Sequence, residues 1–138
     1  MATTTYLSQP GVLTVATVDL RDQASAISFT LGNEPLTSTA FGDTGQRMVG
    51  GLQTVEGTIT LYMSYGAAEV EATIFAEVGQ GDTTIVVKKD DAAVAADNPE
   101  WTISNTMIAN YPITYTVGEL QVMEVSFEGG SFVRDITP

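Results

Sequence analysis

Residues 52–63 alternate with a period of two. Val55, Ile59, Leu61 and Met63 share one face, and Thr54, Glu56, Thr58, Thr60 and Tyr62 share the other. Such a pattern belongs to a half-buried strand and cannot sit still as a helix. Ala26 to Leu31 repeats it, with Ile27, Phe29 and Leu31 opposite Ser28 and Thr30. Val12 to Val18 is rich in β-branched residues and predicts a first strand; Asp19 to Ser25 reads as a turn. Thr83 to Lys88 predicts another strand. So does 100–111, where Trp101, Ile103, Asn105, Met107, Ala109 and Tyr111 fall on one side before Pro112. Gln121, Met123, Val125 and Phe127 share a face of a strand that ends at Gly129-Gly130, and Ser131 to Ile136 makes a last one.

The period changes once. Val70, Ile74, Phe75 and Val78 recur at helical spacing, Ser64 can cap the start and Gly79 the end, which predicts a helix over about 67–78. The expected fold is therefore mainly β: a β-sandwich or small barrel of six or seven strands with one flanking α-helix. The chain has 138 residues, enough for one domain spanning 1–138, with no linker and no internal repeat. Residues 1–10 are small and polar and predict an N-terminal arm. Residues 32–51 contain Pro35 and four glycines from Gly42 to Gly51 and predict a long loop, a length that is usually functional or disordered.

Composition narrows the function. Charged residues make up only 16% of the chain, and 17 acidic side chains stand against 5 basic ones, a net charge of −12. A protein that binds nucleic acid by neutralising phosphates needs the opposite balance, as does one that binds anionic membranes. Residues 1–69 carry six acidic and two basic side chains, residues 70–138 eleven and three. There is no Cys and no His, which removes the common catalytic triads and the commonest zinc ligands. No Walker motif or dinucleotide fingerprint is present. Asp90, Asp91 and Asp97 form the nearest acidic cluster, but their spacing does not match a calcium loop and reads as a solvated connection. Lys88-Lys89 beside them reads as a solvated strand end, and Trp101 as a core or interface residue. No catalytic residue, cofactor or metal site is expected. No apolar run approaches the roughly 20 residues of a membrane span. Met1 to Thr5 lacks the start of a secretory signal, so the protein is expected to stay where it is made until it is assembled.

One segment carries more. Phe41-Gly42-Asp43-Thr44-Gly45-Gln46-Arg47-Met48-Val49-Gly50-Gly51-Leu52 resembles a stretch of the tail tube (major tail) proteins of long-tailed phages, where an arginine-bearing, Gly-rich loop leads into a Thr-rich strand. The order that follows also resembles that family: Val55 to Leu61, Glu71 to Phe75, Asn98-Pro99-Glu100-Trp101-Thr102, Tyr111-Pro112-Ile113, Val117 to Leu120 and Val125-Ser126-Phe127. The resemblance covers roughly residues 40–134, about two-thirds of the chain.

The resemblance implies a virion structural protein, not an enzyme. It implies a helix-flanked β-sandwich that self-assembles into hexameric rings whose inner sheets join around a channel. The rings stack into a tail tube through which DNA passes without specific binding. The implied partners are further copies and other tail proteins, such as the tape measure and the tail terminator, with assembly in the host cytoplasm. Channel walls of this family tend to be acidic, which makes Glu56, Glu119 and Glu124 candidate lining residues. Phe41, Asp43, Arg47 and Met48, in the long loop, are candidate contacts between rings, ordering on assembly at an entropic cost. The competing expectations are a capsid decoration or head–tail connector protein, which needs no acidic channel, and a carbohydrate- or ligand-binding β-sandwich.

Overall fold

A computed structural model describes residues 10–137; the arm expected at residues 1–10 lies outside the described residues except for Pro10. Among them the fold is mainly β with a single helix. The elements are β1 (Val12–Val15), β2 (Val18–Asp19), β3 (Ala24–Thr37), β4 (Met48–Tyr62), α1 (Val70–Glu77), β5 (Thr83–Lys88), β6 (Glu100–Ile108), β7 (Val122–Glu128) and β8 (Ser131–Asp135). That makes eight strands where six or seven were expected. The expected strand 12–18 is a two-residue hairpin instead, since Ala16 and Thr17 take φ of 51° and 67° and Val15 pairs with Val18. Positive φ at both central positions is the turn that matches strand twist, but Ala-Thr lacks the usual Asn-Gly signal.

The strands form one antiparallel sheet in the order β2-β1-β5-β6-β7-β4-β3, with β8 also beside β6. β7 and β8 follow β6 in a single unshifted register, from Ile108↔Phe127 to Glu100↔Asp135. Where the ladder is interrupted, Gly129 and Gly130 take φ of 84° and 91°, and Asn105 takes 58°. This corner folds the sheet on itself, so that β2-β1-β5-β6-β8 and β7-β4-β3 enclose one core. Leu13, Val15, Ile85, Val87 and Ile103 enter it from the first half, and Val55, Ile59, Leu61, Met123, Val125 and Phe127 from the second. Each fully buried aliphatic or aromatic side chain contributes about 1.5–3 kcal/mol relative to exposure.

Asn105 also corrects the reading of β6. Its left-handed backbone shifts the alternation, so Thr106 and Ile108 are buried while Asn105 is exposed, and the strand ends at Ile108 instead of Tyr111. The helix starts later than expected, at Val70, because Gly66 and Ala68 hold φ of 118° and 62°. Ser64 still serves its start, its Oγ accepting the Val70 N–H at 3.1 Å. Val70 and Ile74 are buried, but Phe75, about 100° further round the helix, is exposed and packs edge-on against Tyr111 with ring centroids 5.4 Å apart.

The largest correction concerns residues 32–51. They are not a loop: β3 and β4 pair as far as Thr37↔Met48, with one irregularity at Asn33/Pro35 that absorbs the proline. Gly51 is a strand residue where the two backbones come close, since a Cβ there would lie 3.0 Å from Leu36 Cδ1 and 3.1 Å from the Glu34 carbonyl oxygen. Only residues 38–47 remain between the strands. Beyond Asn33 the hairpin is almost entirely exposed, an arm that extends past the core.

At the corner, a Cβ on Gly130 would overlap the Ser104 carbonyl oxygen and lie 2.8 Å from that of Asn105. Gly130→Ala is therefore expected to destabilise the protein by about 3 kcal/mol, from the left-handed backbone and the forced displacement together. Urea denaturation measures it; an unchanged midpoint would show that the corner is not held there.

Candidate functional site

The inner face of β7-β4-β3 is spent on the core, so the outer face is free for function. Its residues line up in register across three strands. Thr30, Glu56 and Glu128 form one row, Ser28, Thr58 and Ser126 the next, and Thr60 pairs with Glu124 in a third. These rows hold hydroxyls and carboxylates and no Lys or Arg. Glu56 stands directly opposite Glu128, a like-charge pairing that costs stability. Between the first two rows lies a shallow depression of about 380 Å³. Of the three acids named from sequence, Glu56 and Glu124 are on this face. Glu119 is not; it sits in the exposed connection between β6 and β7. Glu128 was missed, although it lies four residues past Glu124 on the same side of the strand.

The two edges of this half differ. The β7 edge is finished within the chain: Asn110 Oδ1 accepts the Ser126 N–H at 2.8 Å, its Nδ2 donates to the Glu124 carbonyl at 3.1 Å, and the Ala109 N–H donates to the Ser126 carbonyl at 2.9 Å. The outer edge of β3 pairs with no strand among the described residues. From Ala26 to Asn33 it carries no Lys, Arg or Pro, the usual devices that blunt an open edge.

The structure brings Phe41, Asp43, Arg47 and Met48 together at the tip of the arm. Asp43 Oδ2 accepts the Ala40 N–H at 2.7 Å, and the Arg47 N–H donates to Thr39 Oγ1 at 2.9 Å. Arg47, itself exposed, lies 3.7 Å from the partly covered Asp43 carboxylate, a long contact worth little by itself. Phe41 is fully exposed and Met48 half exposed. The turn is thus tied by its own hydrogen bonds while its apolar side chains face outward.

A second exposed cluster was not legible in the sequence. Tyr65 donates to Gln121 Oε1 at 2.7 Å, and its hydroxyl lies 3.3 Å from that of Tyr115. The Tyr115 hydroxyl, followed by desolvation, pushes the Tyr65 pKa above its ordinary value. Tyr111 donates to Glu71 Oε1 at 2.8 Å; that hydrogen bond to a carboxylate, followed by desolvation, raises its pKa too. Trp101 is half buried and meets Phe29 edge-on, centroids 6.3 Å apart. Asp90 Oδ1 is taken up by the Ala92 N–H and Asn98 Nδ2, both at 2.9 Å.

No family model matches the chain, and no curated protein does. Among solved structures, a chain of the tail of an empty gene transfer agent particle with C6 symmetry superposes with a TM-score of 0.61 at 12% identity, over 84% of this chain and 83% of that one. A chain of the virion of a native gene transfer agent particle superposes with a TM-score of 0.60 at 13% identity, over 82% and 85%. At these identities the likeness is one of fold.

Glu56→Gln removes the like-charge opposition to Glu128. It is expected to stabilise the folded chain by a few tenths of a kcal/mol, and the gain should shrink at high salt; paired urea titrations at two salt concentrations measure both. The raised Tyr111 pKa favours the neutral phenol in the fold. Its contribution is therefore complete below the unfolded tyrosine value of about 10 and is lost as pH rises through the higher folded value. Glu71→Gln should bring the Tyr111 ionisation midpoint down, followed by phenolate absorbance against a Tyr111→Phe reference.

Proposed function

We propose that this chain is a structural subunit of a phage-like tail that assembles with copies of itself into stacked rings around a channel for DNA. The observation that supports the reading is the fold shared with a chain from the tail of one gene transfer agent particle and a chain from the virion of another, over more than four-fifths of each chain. The outer face of β7-β4-β3 lines the channel, with Glu56, Glu124 and Glu128 on its wall. Wall charges of one sign repel phosphates within a Debye length of about 8 Å, and a channel that must release DNA gains from having no cation to hold it. The unpaired edge of β3 is covered by a neighbouring subunit when the ring closes, which removes the hazard of an open strand. Six copies per ring agree with the C6 symmetry of the tail particle. The subunit works by assembly and not by catalysis. Its partners are its own copies and other tail components, such as the tape measure and the terminator, and its place is the virion tail after assembly in the host cytoplasm.

Electron microscopy of the purified protein tests this: hollow, regularly striated tubes are expected. A protein that stays monomeric under all conditions, including with tail-initiating partners, would overturn it. Glu56→Lys with Glu128→Lys should leave tubes intact and slow DNA ejection from particles that carry them. Unchanged ejection would remove this face from the channel.

A further inference from the structure

A cleft of about 1390 Å³ opens between the start of β3 and the facing ends of β5 and β6. Ile27, Val87 and Trp101 give it an apolar lining. Arg21, Lys88 and Lys89 line it too, three of the five basic residues of the chain. Asp19, Asp22 and Asp97 balance them, and Asp19 Oδ1 accepts the Arg21 N–H at 2.9 Å. The lining charges thus cancel in a chain of net charge −12, so an acidic partner meets less repulsion here than elsewhere. The cleft is larger than the roughly 300–1,000 Å³ of a small-molecule pocket and has room for a segment of protein.

A matching surface lies across the same half of the sheet. Glu71 and Phe75 share the outer face of α1, one turn apart, and Phe75 is 63% exposed. Residues 62–82 carry Glu69, Glu71, Glu77 and Asp82 and no Lys or Arg. Glu71 Oε1 accepts the Tyr111 hydroxyl, and the second oxygen of a carboxylate can accept more. Through Tyr111 the helix is tied to residues 109–110, which finish the β7 edge. The cleft, in contrast, lies at the open β3 edge. The cleft residues Ala24 and Ala26 pair with Leu61 and Thr60 of β4, while on the other side of β4 Tyr62 pairs with Val122 of β7. Cleft and helix face therefore stand at the same end of β4, on opposite flanks, with β3 and β7 about 10 Å apart. A second copy set alongside brings its helix face to the cleft without sliding along the strands. We infer that the cleft of one copy receives the α1 face of its lateral neighbour, with Phe75 against Trp101 and Ile27 and with Glu69 and Glu71 toward Arg21, Lys88 and Lys89. The two surfaces differ, so the contact is head-to-tail, and a rotation that closes makes it a ring. It lies on the core side of β3, behind the channel wall, and rests on the ring reading for its role.

A charge swap tests it. One variant reverses the cleft (Arg21→Glu with Lys89→Glu); the other reverses the helix face (Glu69→Lys with Glu71→Lys). Thermal melting by circular dichroism verifies that each folds, and Arg21→Glu or Glu69→Lys alone replaces a double variant that does not. Each variant alone is expected to lose about tenfold or more in association between copies, because like charges then meet across the contact. Their equimolar mixture should recover it. The reversed cleft of one accepts the reversed face of the other, and the native surfaces accept each other. An even-numbered ring then closes with the variants alternating, which native mass spectrometry reads as equal numbers of each. Trp101, the single tryptophan of the chain, reports on the cleft directly: its quenching by acrylamide should fall when the wild type associates. If either variant alone associates like the wild type, if the mixture recovers nothing, or if Trp101 stays as accessible as in the monomer, the docking is overturned. Wild-type tubes seen beside any of those results would leave the tail reading standing. Recovery in the mixture with Trp101 shielded, but no tubes from the wild type, would sink the tail reading and keep the docking. A wild type that never associates overturns both.

Discussion

The fold depends on the bend of β6 at Asn105 against Gly129 and Gly130. Before the bend, β6 pairs with β5 and β8 and sends Ile103 into the core; after it, Thr106 still pairs with β5 while Met107 and Ile108 pair with β7, and Ile108 enters the core. One left-handed residue performs the shift of phase. Without it, Asn105 and Met107 would face the core in place of Thr106 and Ile108, and the halves would lie open as a single layer. Of the two glycines opposite it, Gly129 is favoured by its positive φ alone, whereas Gly130 is required also because a side chain there would meet the backbone of Ser104 and Asn105.

Folding the sheet commits one face of β7-β4-β3 to packing and leaves the other without a structural task. Acids placed there for solubility alone would serve as well when spread over the surface. Instead Glu56 and Glu128 face each other across neighbouring strands, an opposition of like charges that costs stability. A local rule broken without structural compensation is expected where function sets the residue. On the proposed tail reading, these rows of Ser, Thr and Glu with no interleaved cation would form a wall that repels phosphate.

The faces of the long strands were legible because alternation is a local property. Ile27, Phe29 and Leu31, then Val55, Ile59 and Leu61, then Met123, Val125 and Phe127 all lie on the side that the period of two assigns. What was not legible depended on partners distant in sequence. Pro35 and Gly50 look like loop residues until the irregularity that pairs them is seen. Glu128 carried a readable signal, its parity with Glu124, obscured by its place beside Gly129. Tyr65 and Tyr115 are fifty residues apart and lie in segments with no regular pattern, so nothing in the sequence joins them.

The pairing of β3 with β4 as far as Thr37↔Met48 replaces an expected loop with a pre-ordered arm. A twenty-residue flexible loop would order on docking at a cost of about 1–2 kcal/mol of backbone entropy per residue, most of the free energy that an interface of modest size supplies. The strands at its base remove that cost in advance. A two-stranded ribbon alone is marginal in water, but this one continues β3 and β4, whose other ends are anchored by Ile27, Ile59 and Leu61 in or against the core. The ten-residue turn is then closed by Asp43, Thr39 and Arg47 through hydrogen bonds within itself. On the proposed tail reading, Phe41 would arrive at a neighbouring copy already positioned, and the gain from burying it would go to association and not to ordering the segment that carries it.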